Sequence, residues 1–366
     1  MPVPLLDTGD IPQKRKRPRS QQNPAAEFFK PPALYCPFSA SINPHTAEAH
    51  RRTVAWGQSH GLLSSGVIGQ QQADEHHTGL VGRTFPHTSH ERFQLLCDWT
   101  CWLFWHDDVC DETTLGHHPT GLSRQFDRLF GILTDTAPPR TDNAFDMALV
   151  EMRERFRALA PDQAWFYRFV TSVQDYFQGC IWEARNREYR KVPSVDDFIP
   201  LRRCAGATWI YLNFVEFANN QVLPIEIREN PNVRRLMQIT CDIACWHNDL
   251  YSLPKELRQG DVHNLVTVLQ AELRIPLEDA IEKAAQWCDA EVREFQTIVA
   301  EFPRLEPSLD SILRSYVLSL ESVMRGNLDW AQESSRYRPL SRYELEQRKL
   351  PDVVIAQARH LPDIEG

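Results

Sequence analysis

Asp107, Asp108, Asp111 and Glu112 place four carboxylates within six positions, directly behind the largely apolar run Leu95 to Trp105. On a helix Asp107, Asp108 and Asp111 stand at i, i+1 and i+4, so all three can face one cavity. Clustered carboxylates repel one another and are costly to bury without a cation. A hard divalent ion removes that cost, and Mg2+ held by one or two carboxylates together with substrate phosphates is the common solution. The plain alternative is a solvated helix end, which the core-like run before Asp107 opposes.

A second group of oxygen donors follows 141 positions after Asp107, as Asn248, Ser252 and Glu256. Their i, i+4, i+8 spacing makes one slowly drifting row on a helix. An amide oxygen, a hydroxyl and a carboxylate suit Mg2+ and no soft metal. Asp249 lies about 100° off that row and is a weaker ligand candidate. Lys255 either reaches a phosphate or is solvated. Pro254 cannot donate a hydrogen bond to Leu250 and is expected to kink or end the helix near Glu256.

Asp-Asp-x-x-Asp followed by Asn-x-x-x-Ser-x-x-x-Glu resembles the class I terpene synthases of microbes, above all the bacterial sesquiterpene synthases. The resemblance implies an all-α fold, a single helical bundle around a central apolar cavity. It implies a cluster of Mg2+ ions, three in the family, with Mn2+ able to substitute. The implied reaction ionises a linear isoprenyl diphosphate and cyclises the cation, releasing diphosphate. Farnesyl diphosphate is the expected substrate and a cyclic sesquiterpene hydrocarbon or alcohol the expected product; geranyl and geranylgeranyl diphosphate stay open.

Further roles come from the same resemblance. An arginine 46 residues before the asparagine of the second motif senses diphosphate in the family, and Arg202 has that spacing, with Arg203 as the alternative. A helix break just after it supplies a carbonyl that helps trigger ionisation, matched by Ala205 and Gly206. Near the end, Trp330 is followed six residues later by Arg336-Tyr337. In the family such a pair binds diphosphate as the site closes, while the tryptophan faces the carbocation. Read alone the pair would mean little, since Arg342-Tyr343 repeats it.

The cation needs walls without nucleophiles, and aromatic faces stabilise passing positive charge by roughly 0.5–2 kcal/mol each. Phe104, one turn before Asp107 on the same face, and Trp330 are the first candidates; Leu103 and Trp209 come next. No dedicated general base is identifiable.

These residues need long helices to hold them. Asn43-Pro44 reads as a helix start, with Gly61 closing that helix. Thr88 and Glu91 resemble a capping box. The helix that follows is apolar nearly all round and belongs inside a bundle. Further helices are expected over Leu122 to Leu133, Asn143 to Ala158, from Pro161-Asp162 through Cys180, Arg234 to Glu256, from Asp261 on, Leu277 to Val299, and Leu309 to Trp330. The Arg202-Arg203 pair shortly before Gly206 is odd on propensity, because glycine weakens a helix by about 1 kcal/mol. Asp74-Glu75-His76-His77 falls in a non-periodic, loop-like stretch and is a poor metal candidate. Residues 1–30 read as a disordered basic, Pro-rich tail, 31–340 as the catalytic domain and 341–366 as a second tail.

Composition narrows the classes. A net charge of −9 makes a nucleic-acid-binding body improbable. No run of 18 apolar residues predicts a spanning helix, and no apolar leader is visible. Nine cysteines without Cys-x-x-Cys metal spacing fit a reducing cytoplasm, with Cys97/Cys101 and Cys241/Cys245 as small core residues. The expected partner is a small isoprenyl diphosphate, and a homodimer stays open. Among rivals, a chain-elongating prenyltransferase would show a second Asp-Asp-x-x-Asp, which is absent. His106-Asp107 is compatible with a metal phosphohydrolase, which would need further helical histidines. A non-catalytic prenyl diphosphate binder should have lost a ligand, and both motifs are intact.

Overall fold

The helix that ends in Asp107 and Asp108 runs through the middle of the molecule. Phe93, Leu95, Leu96, Trp99, Trp102 and Trp105 are all buried along it, as its all-round apolar pattern predicts. It is α3 (His90–Glu112) of thirteen α-helices, and no strand occurs among the described residues. The computed structural model describes residues 31–63, 77–112, 116, 118–189 and 191–337; the side chains at 109, 111, 112, 258 and 335 fall outside that set. Both expected tails, Asp74-Glu75-His76 and the Asp111 side chain therefore lie outside the described residues.

In chain order the other helices are α1 (Thr46–Ser59), α2 (His77–Thr84), α4 (Pro119–Thr134), α5 (Ala144–Leu159), α6 (Gln163–Tyr189), α7 (Val195–Ala205), α8 (Thr208–Ala218), α9 (Ile225–Arg228), α10 (Pro231–Gln259), α11 (Leu265–Leu273), α12 (Leu277–Glu301) and α13 (Pro307–Glu333). A 3-10 turn, Ser335–Tyr337, follows. Helix α3 packs on α1, α2, α5 and α8, while α10 packs on α7, α8, α11, α12 and α13. No helix among the described residues is long and apolar enough to cross a membrane.

One end of the bundle is a solid aromatic plug. Trp165 lies flat on Phe169 with ring centres 5.5 Å apart, and Phe156 on Phe214 at 5.7 Å. Trp99 meets Phe169 edge-on at 4.9 Å. Offset and edge-on contacts of this kind add to the burial energy of each ring. The plug meets the wall of the cavity described below through Tyr211, whose ring lies 5.9 Å from that of Phe214.

Several boundaries differ from expectation for local reasons. Helix α1 begins at Thr46, not Pro44: Asn43 still accepts the His45 N–H through Oδ1, as a capping residue does, while its Nδ2 donates to the carbonyls of Phe85 and Thr88. Ser89, not Thr88, stands at the start of α3, since its carbonyl accepts the N–H of Phe93. His77 opens α2 and is no loop residue. Helix α10 does not end near Glu256: it runs through Pro254 to Gln259 and stops at Gly260, whose φ is +72°. Proline removes one backbone bond there, and packing of α10 against its neighbours outweighs that loss.

Candidate active site

The carboxyl end of α3 delivers Asp107 to a cavity of about 210 Å3, enclosed by α2, α3, α6, α7, α8, α10, α13 and the Ser335–Tyr337 turn. Asp107 and Asp108 part company. Asp107 lines the cavity, and the Tyr176 hydroxyl donates to its Oδ1 over 3.4 Å. Asp108 is buried and accepts a hydrogen bond from Arg336 Nη1 at 2.9 Å.

Across the cavity α10 presents Asn248, Ser252, Lys255 and Glu256. The i, i+4, i+8 spacing thus places the three oxygen donors on one wall. The Asn248 amide is oriented by its neighbours. Arg202 Nη2 donates to its Oδ1 at 2.9 Å, and its Nδ2 donates to the Tyr337 hydroxyl at 2.6 Å. Arginine cannot accept, so the oxygen must face Arg202, and it keeps a second lone pair. Asp249 points the other way. It is fully buried and accepts from Arg202 Nε and Nη2 through Oδ1 and from the Leu265 backbone N–H through Oδ2.

Arg202 and Arg203 separate as cleanly. Arg202 lines the cavity, whereas Arg203 makes two 2.7 Å bonds to Asp242 and is no part of the lining. Just beyond them the chain breaks between α7 and α8. The left-handed residue of the break is Ala207, with φ +56°, rather than Gly206. That conformation costs an alanine about 1 kcal/mol or more. Gly206 is needed for space, since a Cβ there would stand 2.6 Å from Cys245 Sγ and 3.0 Å from the Arg202 carbonyl. Ala205, Gly206 and Ala207 all border the cavity.

Phe104, Leu103 and Trp330 lie in the wall, and Trp209 does not. The face that α8 turns inward carries Thr208, Tyr211 and Leu212, at i, i+3 and i+4; Trp209 is rotated away from it by about 100°. Cys241 and Cys245 are buried, as expected of core residues, but they also border the cavity. Arg336 stands over the Phe104 ring, 5.1 Å from its centre.

Sequence reasoning missed the α6 wall. Tyr176, Glu183 and Arg187 all line the cavity, and their i, i+7, i+11 spacing was a helical-face signal. It also missed Gly179, where a Cβ would sit 2.4 Å from the Ala205 backbone nitrogen; only glycine lets α6 approach the break so closely. Asn264, fully buried, holds Glu256: its Nδ2 donates to Glu256 Oε2 and to the Asp249 carbonyl, both at 2.7 Å.

Residues 98–294 match the family model described as terpene synthase family 2, C-terminal metal binding, and this span takes in both oxygen-donor motifs. The chain belongs to the terpene synthase family. Germacrene A synthase of Nostoc punctiforme is 33% identical over 87% of this chain and 98% of its own. A (+)-T-muurolol synthase of Roseiflexus castenholzii, named as cyclising (2E,6E)-farnesyl diphosphate, is 34% identical over 84% of this chain and 93% of its own. Germacradien-4-ol synthase from Streptomyces citricolor superposes with a TM-score of 0.74 at 23% identity, covering 82% of this chain and 98% of that one, a likeness of fold. This terpene synthase is thus a class I enzyme of the bacterial type.

The charges of the site fit a divalent cation. Burial pushes the Asp107 carboxyl up; Arg336 opposes the shift and Asp108 adds to it. Burial also raises Glu256 to about 7, helped by Asp249 and Asp261 and opposed by hydrogen bonds from Ser252 and Asn264. Neither Asp107 nor Glu256 has an ion-pair partner among the described residues, whereas Asp108, Asp242, Asp249 and Asp261 each have an arginine. Two buried carboxylates on opposite walls, neither in a direct ion pair among the described residues and accompanied by the oxygens of Asn248 and Ser252, suit a hard ion. A second group of metal-type donors, His45, Glu48 and His90, lies elsewhere. It sits at the amino ends of α1 and α3, where helix dipoles disfavour a cation, and Glu48 is already 2.6 Å from Arg52.

Proposed function

We propose that this terpene synthase ionises farnesyl diphosphate with Mg2+ and cyclises the resulting cation to a sesquiterpene hydrocarbon or alcohol. One observation carries the reading: two oxygen-donor walls, bearing Asp107 and Glu256 and flanked by Arg202 and Arg336, open onto a pocket walled by Phe104, Leu103 and Trp330. The names of the relatives support farnesyl diphosphate over shorter or longer chains.

Mg2+, bound by Asp107, Asn248, Ser252 and Glu256 and numbering three as in the family, would neutralise the diphosphate and favour its departure. The chain's own residues do the rest. Arg202, Lys255 and Arg336 supply fixed positive charge to the leaving group. Tyr337, whose hydroxyl is pushed up to about 12 mainly by burial, stays a neutral phenol. Its oxygen accepts from Asn248, so its own proton is free to donate. The C1–O bond breaks with both electrons leaving on a diphosphate oxygen. Preorganised donors stabilise that charge without reorganising at the moment of reaction. Phe104 and Trp330 face the allylic cation. The final cation gives up a proton to the released diphosphate or a backbone carbonyl to form a hydrocarbon, or takes up water and gives up a proton in the same way to form an alcohol.

A His–Asp phosphohydrolase gains no support. His106 is buried against Trp102 and Phe145, lies 2.7 Å from Gln125 Nε2, and is no part of the cavity lining. Incubation with geranyl, farnesyl and geranylgeranyl diphosphate, each with and without Mg2+, tests the proposal by gas chromatography–mass spectrometry. The expected result is a cyclic C15 product that needs Mg2+ and farnesyl diphosphate. Linear alcohols alone, or no product, would overturn the reading.

A further inference from the structure

We propose that His77, which does not line the cavity, is a positioning residue that fixes both aromatic walls and thereby controls product distribution. The inference rests on the cyclase reading above and goes beyond it to a residue behind the wall.

His77 is the first residue of α2 and is 2% exposed. Its ring lies flat on Phe104, with centres 4.1 Å apart and planes within 7°. It also meets Trp330 at 5.9 Å, and Phe104 meets Trp330 at 5.9 Å. The three rings close a triangle in which Phe104 and Trp330 face the cavity and His77 does not. From each cavity-facing ring a chain of contacts leads to one of the oxygen-donor motifs. Phe104 carries the Arg336 guanidinium, which bonds to Asp108. Trp330 meets Tyr337 edge-on at 5.6 Å, and Tyr337 accepts from Asn248. His77 is the shared rear support of both chains.

The support is itself rigid. Helix α2 packs on α13 and α3. A Cβ at Gly326 of α13 would lie 2.5 Å from the Arg83 backbone carbon, and one at Gly82 would lie 2.3 Å from Thr46 Oγ1. Close approach at two glycines, backbone to backbone at Gly326 and side chain to backbone at Gly82, leaves α2 little freedom to shift. A truncated side chain at position 77 therefore leaves a void behind Phe104, and the ring is free to tilt into it. A tilted ring no longer presents its face to the passing cation, which is where the stabilisation lies.

The test compares wild type, His77→Ala, His77→Leu and His77→Phe in the full chain, with farnesyl diphosphate and Mg2+. Product ratios, kcat and KM are read together, with thermal midpoints as the folding control. His77→Ala and His77→Leu should keep KM and shift the ratio of the leading products by about fivefold, the size expected from misaligning one ring. His77→Phe, which restores a flat ring, should return the wild-type ratio. His77→Leu carries the test if His77→Ala fails to fold, because it keeps apolar bulk for folding while its branched end gives the Phe104 ring no flat face to lie on and so does not fix its tilt. Unchanged products in the folded truncations, or a shift in His77→Phe as large as in His77→Leu, would overturn the proposal. A wild type without cyclic product would refute the cyclase reading instead, and with it the premise of this one.

Discussion

Asn264→Ala is the most informative single change, because three hydrogen bonds of one buried residue meet different parts of the site. Its Oδ1 caps α11 by accepting the Val266 N–H at 2.9 Å, and its Nδ2 serves both Glu256 and the Asp249 carbonyl. Losing an N-cap costs about 1 kcal/mol. The Asp249 carbonyl keeps its place in the α10 ladder, so the loss of its second donor costs little, while weakening the hold on a buried carboxylate costs about 1–3 kcal/mol. Glu256 can relieve part of this by taking a proton, since its carboxyl already sits at about 7. A loss of about 3 kcal/mol is therefore expected, read from urea unfolding at pH 7.5 without metal. Removing a group that orients a metal ligand typically costs 10–100-fold in affinity. Mn2+ binding followed by electron paramagnetic resonance should then weaken by about tenfold or more in the folded variant. Asn264→Asp keeps the cap but sets a carboxylate against Glu256, and should lose more metal affinity than capping energy. Stability within about 0.5 kcal/mol of wild type together with unchanged Mn2+ binding would refute the reasoning.

Asp107→Ala and Asn248→Ala should each abolish product formation while leaving far-ultraviolet circular dichroism unchanged; full activity in either would remove that residue from the ion site. Gly179→Ala sets a methyl against the Ala205 backbone, and overpacking of this kind costs about 1–3 kcal/mol. It should lower the thermal midpoint and slow turnover together, because α7 carries Arg202. His106 is held down to about 4, mainly by burial with Arg128 adding to it. Its unfolded form titrates near 6.5, so the unfolded state binds more protons between those values and stability falls as pH drops below 6.5. At pH 5 that amounts to about 2 kcal/mol. His106→Gln should show that much less loss between pH 7.5 and 5 in paired urea titrations.

Local period accounts for what the sequence could show. Helix α3 is apolar on every side, so its interior place and the delivery of Asp107 follow from position alone. Asn248, Ser252 and Glu256 share a wall because 3.6 residues per turn put them there. Rotation about a helix axis is harder to read. Trp209 and Tyr211 differ by two positions, and only packing of α8 against α3 and α6 decides that Tyr211 turns inward. Pro254 shows the same limit: its local penalty is real, but packing against neighbours 10 to 80 positions away carries α10 on to Gln259.

The carboxylates make the same point about charge. Among the described residues seven buried or half-buried acids stand in or beside the site, and spacing alone ranks Asp107 with Asp108 and sets Asp249 slightly behind Asn248. What separates them is an arginine far along the chain. Asp108 receives Arg336 from 228 positions away, Asp249 receives Arg202 from 47, and Asp261 receives Arg187 from 74. Asp242 holds Arg203, which removes that arginine from the cavity. Breaking a buried pair of this kind costs about 3–5 kcal/mol, so these carboxylates are already committed to structure. Asp107 and Glu256 are left over on facing walls, both pushed toward their neutral forms. An unpaired buried carboxylate is unfavourable unless something else brings charge. On the function proposed above, these two acids would hold the cation that the polypeptide does not supply, beside the aromatic pocket of Phe104 and Trp330.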